Sequence, residues 1–124
     1  MLHGADSDGT RARGQEAEHA ACAFLERRGL KLLDANFRTR FGELDLVLEQ
    51  GTTVVFAEVR FRRRNDFGGA AASVDTRKQA KLRAAAEIYL GARPAARRRP
   101  CRFDVIAVTP GNPELEIDWI QNAF

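Results

Sequence analysis

Apolar and polar positions recur in two rhythms along this chain, and the changes of rhythm divide it into elements. Over residues 14–28, Ala17, Ala20, Ala21, Phe24 and Leu25 follow the spacing of one helix face. Gly29 stands where a left-handed C-terminal cap would end that helix. Residues 30–37 predict a first strand with an irregular, edge-like pattern, 38–41 a turn, and 42–49 a second strand. Gln50-Gly51-Thr52-Thr53 predicts a hairpin loop, and the β-branched and aromatic run 54–61 a third strand. A long loop over 62–75, with Gly68 and Gly69 in it, leads to a second helix. Thr76-x-x-Gln79 predicts a capping box for that helix, and Leu82, Ala85, Ala86 and Tyr89 its buried stripe. Residues 94–100 read as a basic linker with Arg97, Arg98 and Arg99 flexible, followed by strands at 102–109 and 115–120 around a turn. The order α-β-β-β-α-β-β predicts an α/β sandwich, a mixed central sheet with a helix on each side.

A chain of 124 residues suits one domain, expected over 14–124, with the polar stretch 1–13 as a disordered tail. That stretch lacks the apolar segment of a signal peptide, and no apolar run is long enough to cross a bilayer. Cys22 and Cys101 are the two cysteines, in no metal-ligand spacing, which argues against a disulfide framework or a zinc site. A cytoplasmic protein without membrane association is expected. The net charge of +3 is modest, but arginines gather at 60–64 and 97–99 while Glu114, Glu116 and Asp118 gather near the C-terminus. That asymmetry can build one basic face.

Two acids change the picture. Asp45 sits within Gly42-Glu43-Leu44-Asp45-Leu46-Val47 and Glu58 within Val55-Phe56-Ala57-Glu58-Val59-Arg60, both runs otherwise apolar. A buried carboxylate is costly unless a cation or hydrogen bonds compensate it. Strict alternation would put Glu43, Asp45 and Val47 on one strand face and Leu44, Leu46 and Leu48 on the other. Paired across the hairpin, Asp45 and Glu58 would then reach one hard cation, Mg²⁺ or Mn²⁺, and Arg60 would share their face. Such an ion activates water and neutralises charge developing on a phosphate. Ion pairing with arginines is the alternative for both acids. Glu18, on the edge of the first helix's stripe, is a third candidate, against a solvated surface reading. Glu43 is either a further ligand or an acid at the strand's mouth. Arg38, Arg40, Arg62, Arg63, Arg64, Lys78 and Lys81 are candidates for phosphate contact, since such contacts supply most sequence-independent affinity for nucleic acid. Trp119 is expected to pack in the core.

The combination Gly42-Glu43-x-Asp45 and Glu58-x-Arg60, with Gly14, Glu18, Gly29, Asn36-Phe37-Arg38, Gly68, Val74, Lys78, Arg102-Phe103-Asp104-Val105 and Asn122-Ala123-Phe124, resembles the YraN-like family of small bacterial proteins. That family is similar to the PD-(D/E)xK nucleases in their Holliday-junction-resolvase branch. The resemblance implies a restriction-endonuclease-like sandwich and hydrolysis of phosphodiesters in DNA, branched or otherwise structured, with Mg²⁺ or Mn²⁺. It assigns the metal to Asp45 and Glu58, an assisting role to Glu18, and a phosphate-facing role to Arg60; a homodimer is expected by analogy with resolvases. Arg60 stands where that superfamily usually has a lysine. A guanidinium stays protonated and cannot act as a base, so a nucleic-acid-binding module without cleavage is the alternative.

Overall fold

Val54, Val55, Phe56 and Ala57 are all buried, so both faces of their strand are covered and it runs through the middle of the molecule. The computed structural model describes residues 2–62, 69–111 and 114–124, with side chains from residue 13 onward. In chain order the elements are α1 (Leu2–Arg27), β1 (Lys31–Arg38), β2 (Glu43–Gln50), β3 (Thr53–Phe61), α2 (Gly69–Ala72), α3 (Thr76–Gly91), α4 (Pro94–Arg97), β4 (Cys101–Thr109) and β5 (Glu116–Ile120). The strands form one sheet in the order β1-β2-β3-β4-β5. β3 and β4 are parallel and the other neighbours antiparallel, which requires the crossover supplied by α2, α3 and α4. This is the mixed α/β sheet with helices that the residue pattern predicts, and it is consistent with a nuclease-like fold.

The sheet separates two apolar layers. Ala17, Ala21 and Leu25 of α1 pack with Leu46, Leu48, Val55, Ala57, Ile106 and Val108. Leu82, Ala85, Ala86 and Tyr89 of α3 pack on the other side with Val47, Val54, Phe56, Phe103 and Val105. Each helix presents residues three or four apart, as an amphipathic helix on a sheet must. Gly29 has φ +90 and lets the chain leave α1, with the Leu30 N–H donating to the Leu25 carbonyl. Trp119 packs edge-on against Phe24, at 6.4 Å between ring centroids.

Several local expectations differ. α1 begins within the stretch 1–13 read as a tail, and from residue 13 onward its first buried position is Ala17. Asp75, not Thr76, caps α3, its side chain accepting from the Lys78 N–H at 2.8 Å. Both residue types cap well, and Asp75 holds the extended backbone a cap needs. The loop 62–75 contains the short helix α2. The segment read as a linker contains α4, with Pro94 at its start, where a missing N–H is tolerated. Arg99 is anchored: it donates to the carbonyls of Thr52 at 2.7 Å and Gly51 at 3.2 Å, and pairs with Glu49 at 3.0 Å. It ties the β2–β3 hairpin to the approach to β4. Among the described residues no helix is long and apolar enough to cross a membrane.

Candidate metal centre

β2 parts from β3 before it parts from β1. Its pairing with β3 ends at Leu46 opposite Ala57, whereas its pairing with β1 continues through Leu44 opposite Phe37 to Glu43 opposite Arg38. Alternation breaks at the same place. Leu44 joins Val47 in the α3-side layer while Leu46 stays with Leu48 on the α1 side, so Leu44, Leu46 and Leu48 do not share a face as strict alternation predicts. Asp45 lies at this fork. Its Oδ2 accepts the Val59 N–H at 2.9 Å, so a side chain takes over from the backbone where the β2–β3 ladder stops.

Four acids meet at the fork. Glu18 of α1 and Glu43 and Asp45 of β2 each bring a carboxylate oxygen within 4.8 Å of the others. Glu58 of β3, 6% exposed, is the carboxyl beside Asp45. Burial pushes the Asp45 carboxyl up to about 8; the charge of Glu58 and the hydrogen bond with it push the same way, against the Val59 N–H. Burial also raises Glu18, opposed by its hydrogen bond from Asn36 and assisted by the charges of Asp45 and Glu43. Two cations face this charge. Arg60 Nη2 stands 3.3 Å and Lys78 Nζ 3.6 Å from the same oxygen, Glu58 Oε2. Glu58 Oε1 is buried and, among the described residues, faces no nitrogen donor. The site thus offers oxygen donors from three elements and one buried oxygen left without a fixed partner, a donor set that fits a hard divalent cation such as Mg²⁺ or Mn²⁺.

The candidates from the sequence are distributed unevenly about this point. Glu18, Asp45, Glu58, Arg60 and Lys78 come together. Arg38 joins through a 3.3 Å pair with Glu43, with its side chain exposed. Arg40 is exposed in the β1–β2 turn, its guanidinium 4.8 Å from the Phe41 ring centroid. Lys81 is exposed on α3 beside that turn, where a Cβ on Gly42 would lie 3.9 Å from its own. The Arg62 backbone N–H continues the β3–β4 ladder to the Val108 carbonyl. Arg63 and Arg64 lie outside the described residues.

Sequence reasoning left Glu43 undecided and gave Asn36 no role. Glu43 lies in the acidic cluster, and Asn36 donates to Glu18 and to Glu43. The signal for Glu43 was its position two residues before Asp45; for Asn36 it was an asparagine inside a strand pattern, the residue type that best tolerates a left-handed backbone after glycine.

Comparison with known proteins agrees with the residue pattern. The profile of Uncharacterised protein family UPF0102 matches residues 17–108. The chain is 48% identical over 121 residues to a UPF0102 protein of Pseudomonas aeruginosa (strain LESB58), covering 96% of this chain and 97% of the relative. It is 48% identical over 115 residues to one from Stutzerimonas stutzeri (strain A1501), covering 93% and 96%. With a UPF0102 protein of Xanthomonas axonopodis pv. citri (strain 306) it shares 52% over 112 residues, 90% of each chain. Matches of this length and identity, spanning both layers of the sheet and all four acids at the fork, show that the chain belongs to the UPF0102, or YraN, family.

Proposed function

We propose that this chain is a metal-dependent nuclease acting on DNA, with the fork between β2 and β3 as its active site. The observation that carries this reading is the crowding of acids there: among the described residues Glu58 is buried with one oxygen lacking a nitrogen donor, beside an Asp45 whose carboxyl is held up to about 8. Natural folds rarely leave buried acids so arranged unless a ligand compensates them. Asp45 and Glu58 would hold Mg²⁺ or Mn²⁺, with Glu43 and Glu18 on the α1 side. The ion, when bound, activates water and neutralises charge on the phosphate.

The chain's own residues supply positioning and charge. Arg60, paired with Glu58, would face a phosphate bound at the site, where its guanidinium would stabilise the added negative charge. Lys78 adds a second cation from α3: its amine stands beside the same Glu58 oxygen and would face a phosphate bound there. Arg38, Arg40 and Lys81 line the β1–β2 side of the fork and would follow the phosphate backbone.

A second reading, a DNA-binding module that does not cleave, is favoured by Arg60 alone. A cleavage assay on labelled single-stranded, duplex, flap and four-way-junction DNA with Mg²⁺ or Mn²⁺ separates the two. Cleavage by the wild type that Asp45→Asn abolishes supports the nuclease. Salt-dependent binding without cleavage in any metal supports the module. Neither binding nor cleavage removes both.

A further inference from the structure

Asn36 is a non-glycine residue with φ +54 in the interior of β1. Its strand neighbours Ala35 and Phe37 pair with Leu46 and Leu44, so Asn36 stands opposite Asp45, at the residue where β2 leaves β3. The left-handed backbone puts its side chain to unusual use. One nitrogen, Nδ2, lies 3.0 Å and 3.2 Å from the two carboxylate oxygens of Glu18 and 2.9 Å from Oε1 of Glu43. The amide therefore joins an acid on α1 to an acid on β2.

We propose that Asn36 is the positioning residue of the acidic centre: its amide holds Glu18 and Glu43 together in the ion-free protein, so that the carboxylates are gathered before a divalent cation arrives. This rests on the metal-dependent reading above. The argument is electrostatic and conformational. Glu18, Glu43 and Asp45 bring carboxylate oxygens within 4.8 Å of one another, and the Asn36 amide donates between two of them. An amide nitrogen offers two protons and no net charge, so it can hold two carboxylates without adding a cation that a metal would have to expel. A strained or sparsely populated backbone persists where the surroundings over-determine it, and such residues gather at functional sites. Asparagine is the side chain that meets both demands, tolerating φ above zero and donating from a short stem.

The test uses the full chain and two variants that keep the backbone comfortable. Asn36→Gly retains the left-handed conformation and removes the amide; Asn36→Asp retains shape and replaces the donor with a fifth acid. In calorimetric titration with Mn²⁺, Asn36→Gly is expected to bind about tenfold more weakly than the wild type, the usual loss when a residue orienting metal ligands is removed. Asn36→Asp is expected to lower the melting temperature of the ion-free protein, with Mn²⁺ restoring it. A residue serving only the strand's shape would leave Mn²⁺ affinity unchanged in Asn36→Gly, and that result overturns the proposal. A second arm needs no metal. The Asn36 side-chain amide signals in a ¹H–¹⁵N spectrum should move on Glu18→Gln and again on Glu43→Gln; if neither moves them, the bridge is absent and the proposal fails whatever the protein binds. Should the signals move while the wild type binds no Mn²⁺, the bridge stands and the metal-dependent reading is what falls.

Discussion

Asp104 and Glu58 are the buried acids among the described residues, on neighbouring parallel strands, and they are treated in opposite ways. Asp104 is fully buried and fully answered: Arg102 Nε lies 3.0 Å and 3.2 Å from its two oxygens, Trp119 Nε1 donates at 2.9 Å and the Asn122 N–H at 2.9 Å. Arg102 is held in turn by Gln50 Oε1 at 2.7 Å. The network ties β4 to β5, the hairpin end of β2 and the C-terminal turn. Among the described residues, Glu58 has Arg60 and Lys78 on one oxygen, no nitrogen donor on the other, and a second carboxyl beside it. The sheet can therefore satisfy a buried carboxylate when the chain supplies donors for it. At Glu58 the chain sets its cations on one oxygen and places a second carboxyl beside it. A satisfied buried charge joins elements; an unsatisfied one leaves room for a ligand.

The sharpest way to break this comparison is to remove Asp104. Asp104→Ala strands the Arg102 guanidinium, the Trp119 N–H and the Asn122 N–H in a buried setting, and breaking one side of a buried pair costs about 3–5 kcal/mol. Urea unfolding should show that loss, with the largest effect of any substitution considered for this chain. Glu58→Gln should cost far less, because the change also relieves the repulsion from Asp45. Equal losses at the two positions would mean that the acids play the same structural part.

A smaller effect of opposite sign is expected at Asp45. Its carboxyl is raised from 3.8 to about 8 in the folded protein, so folding retains a proton that the unfolded chain releases above about 4. The folded state binds more protons across that window, and stability of the ion-free protein must fall as pH rises from about 4 to about 8 and level off beyond it. Asp45→Asn removes this slope and keeps an oxygen for the Val59 N–H. The variant should match the wild type near pH 4 and gain on it toward pH 8, seen as a melting temperature that rises above the wild type's across that window. Mn²⁺ should stabilise the wild type near pH 8 and leave Asp45→Asn unmoved. A variant less stable than the wild type at pH 8 would make Asp45 a structural residue like Asp104.

The same contrast explains what could be read from the residues alone. The stripes Ala17-Ala21-Leu25 and Leu82-Ala85-Ala86-Tyr89 were legible because a helix on a sheet repeats its buried positions, and the strands because β3 and β4 are continuous apolar runs. Asp45 and Glu58 stood out as acids within such runs. That criterion is not specific: Phe103-Asp104-Val105 has the same character, and its acid is wholly paired within the fold. What distinguishes the two acids is the donors around them, from Trp119 and Asn122 far along the chain, which no local pattern reports. The fork was hidden for a related reason. Leu44 changes sides because β2 stays with β1 after leaving β3, a matter of strand pairing that strict alternation assumes away. Asn36 acquires its part only at that fork, and Arg99 only because a hairpin folds back to meet it.

The smallest expected effect lies at Lys78, and it tests whether the cations at Glu58 serve stability or the substrate. The Lys78 side chain is 39% exposed and stands 3.6 Å from Glu58 Oε2, where Arg60 is already closer at 3.3 Å. A partly solvated ion pair of this kind contributes about 0–1 kcal/mol and is screened by salt. Its helix position adds nothing, since Lys78 lies in the first turn of α3, where the helix dipole favours acids. Lys78→Gln should therefore change stability by less than about 1 kcal/mol, and the difference should shrink further at high salt. Mn²⁺ binding should persist, because none of the acids is altered. DNA should bind more weakly with a shallower salt slope, since one fewer cation releases counterions from phosphate. Cleavage should fall more than binding if the Lys78 amine acts on the reacting groups. A loss of several kcal/mol that salt does not reduce would instead make Lys78 to Glu58 what Arg102 is to Asp104, and the fork would then be a second internal ion-pair network.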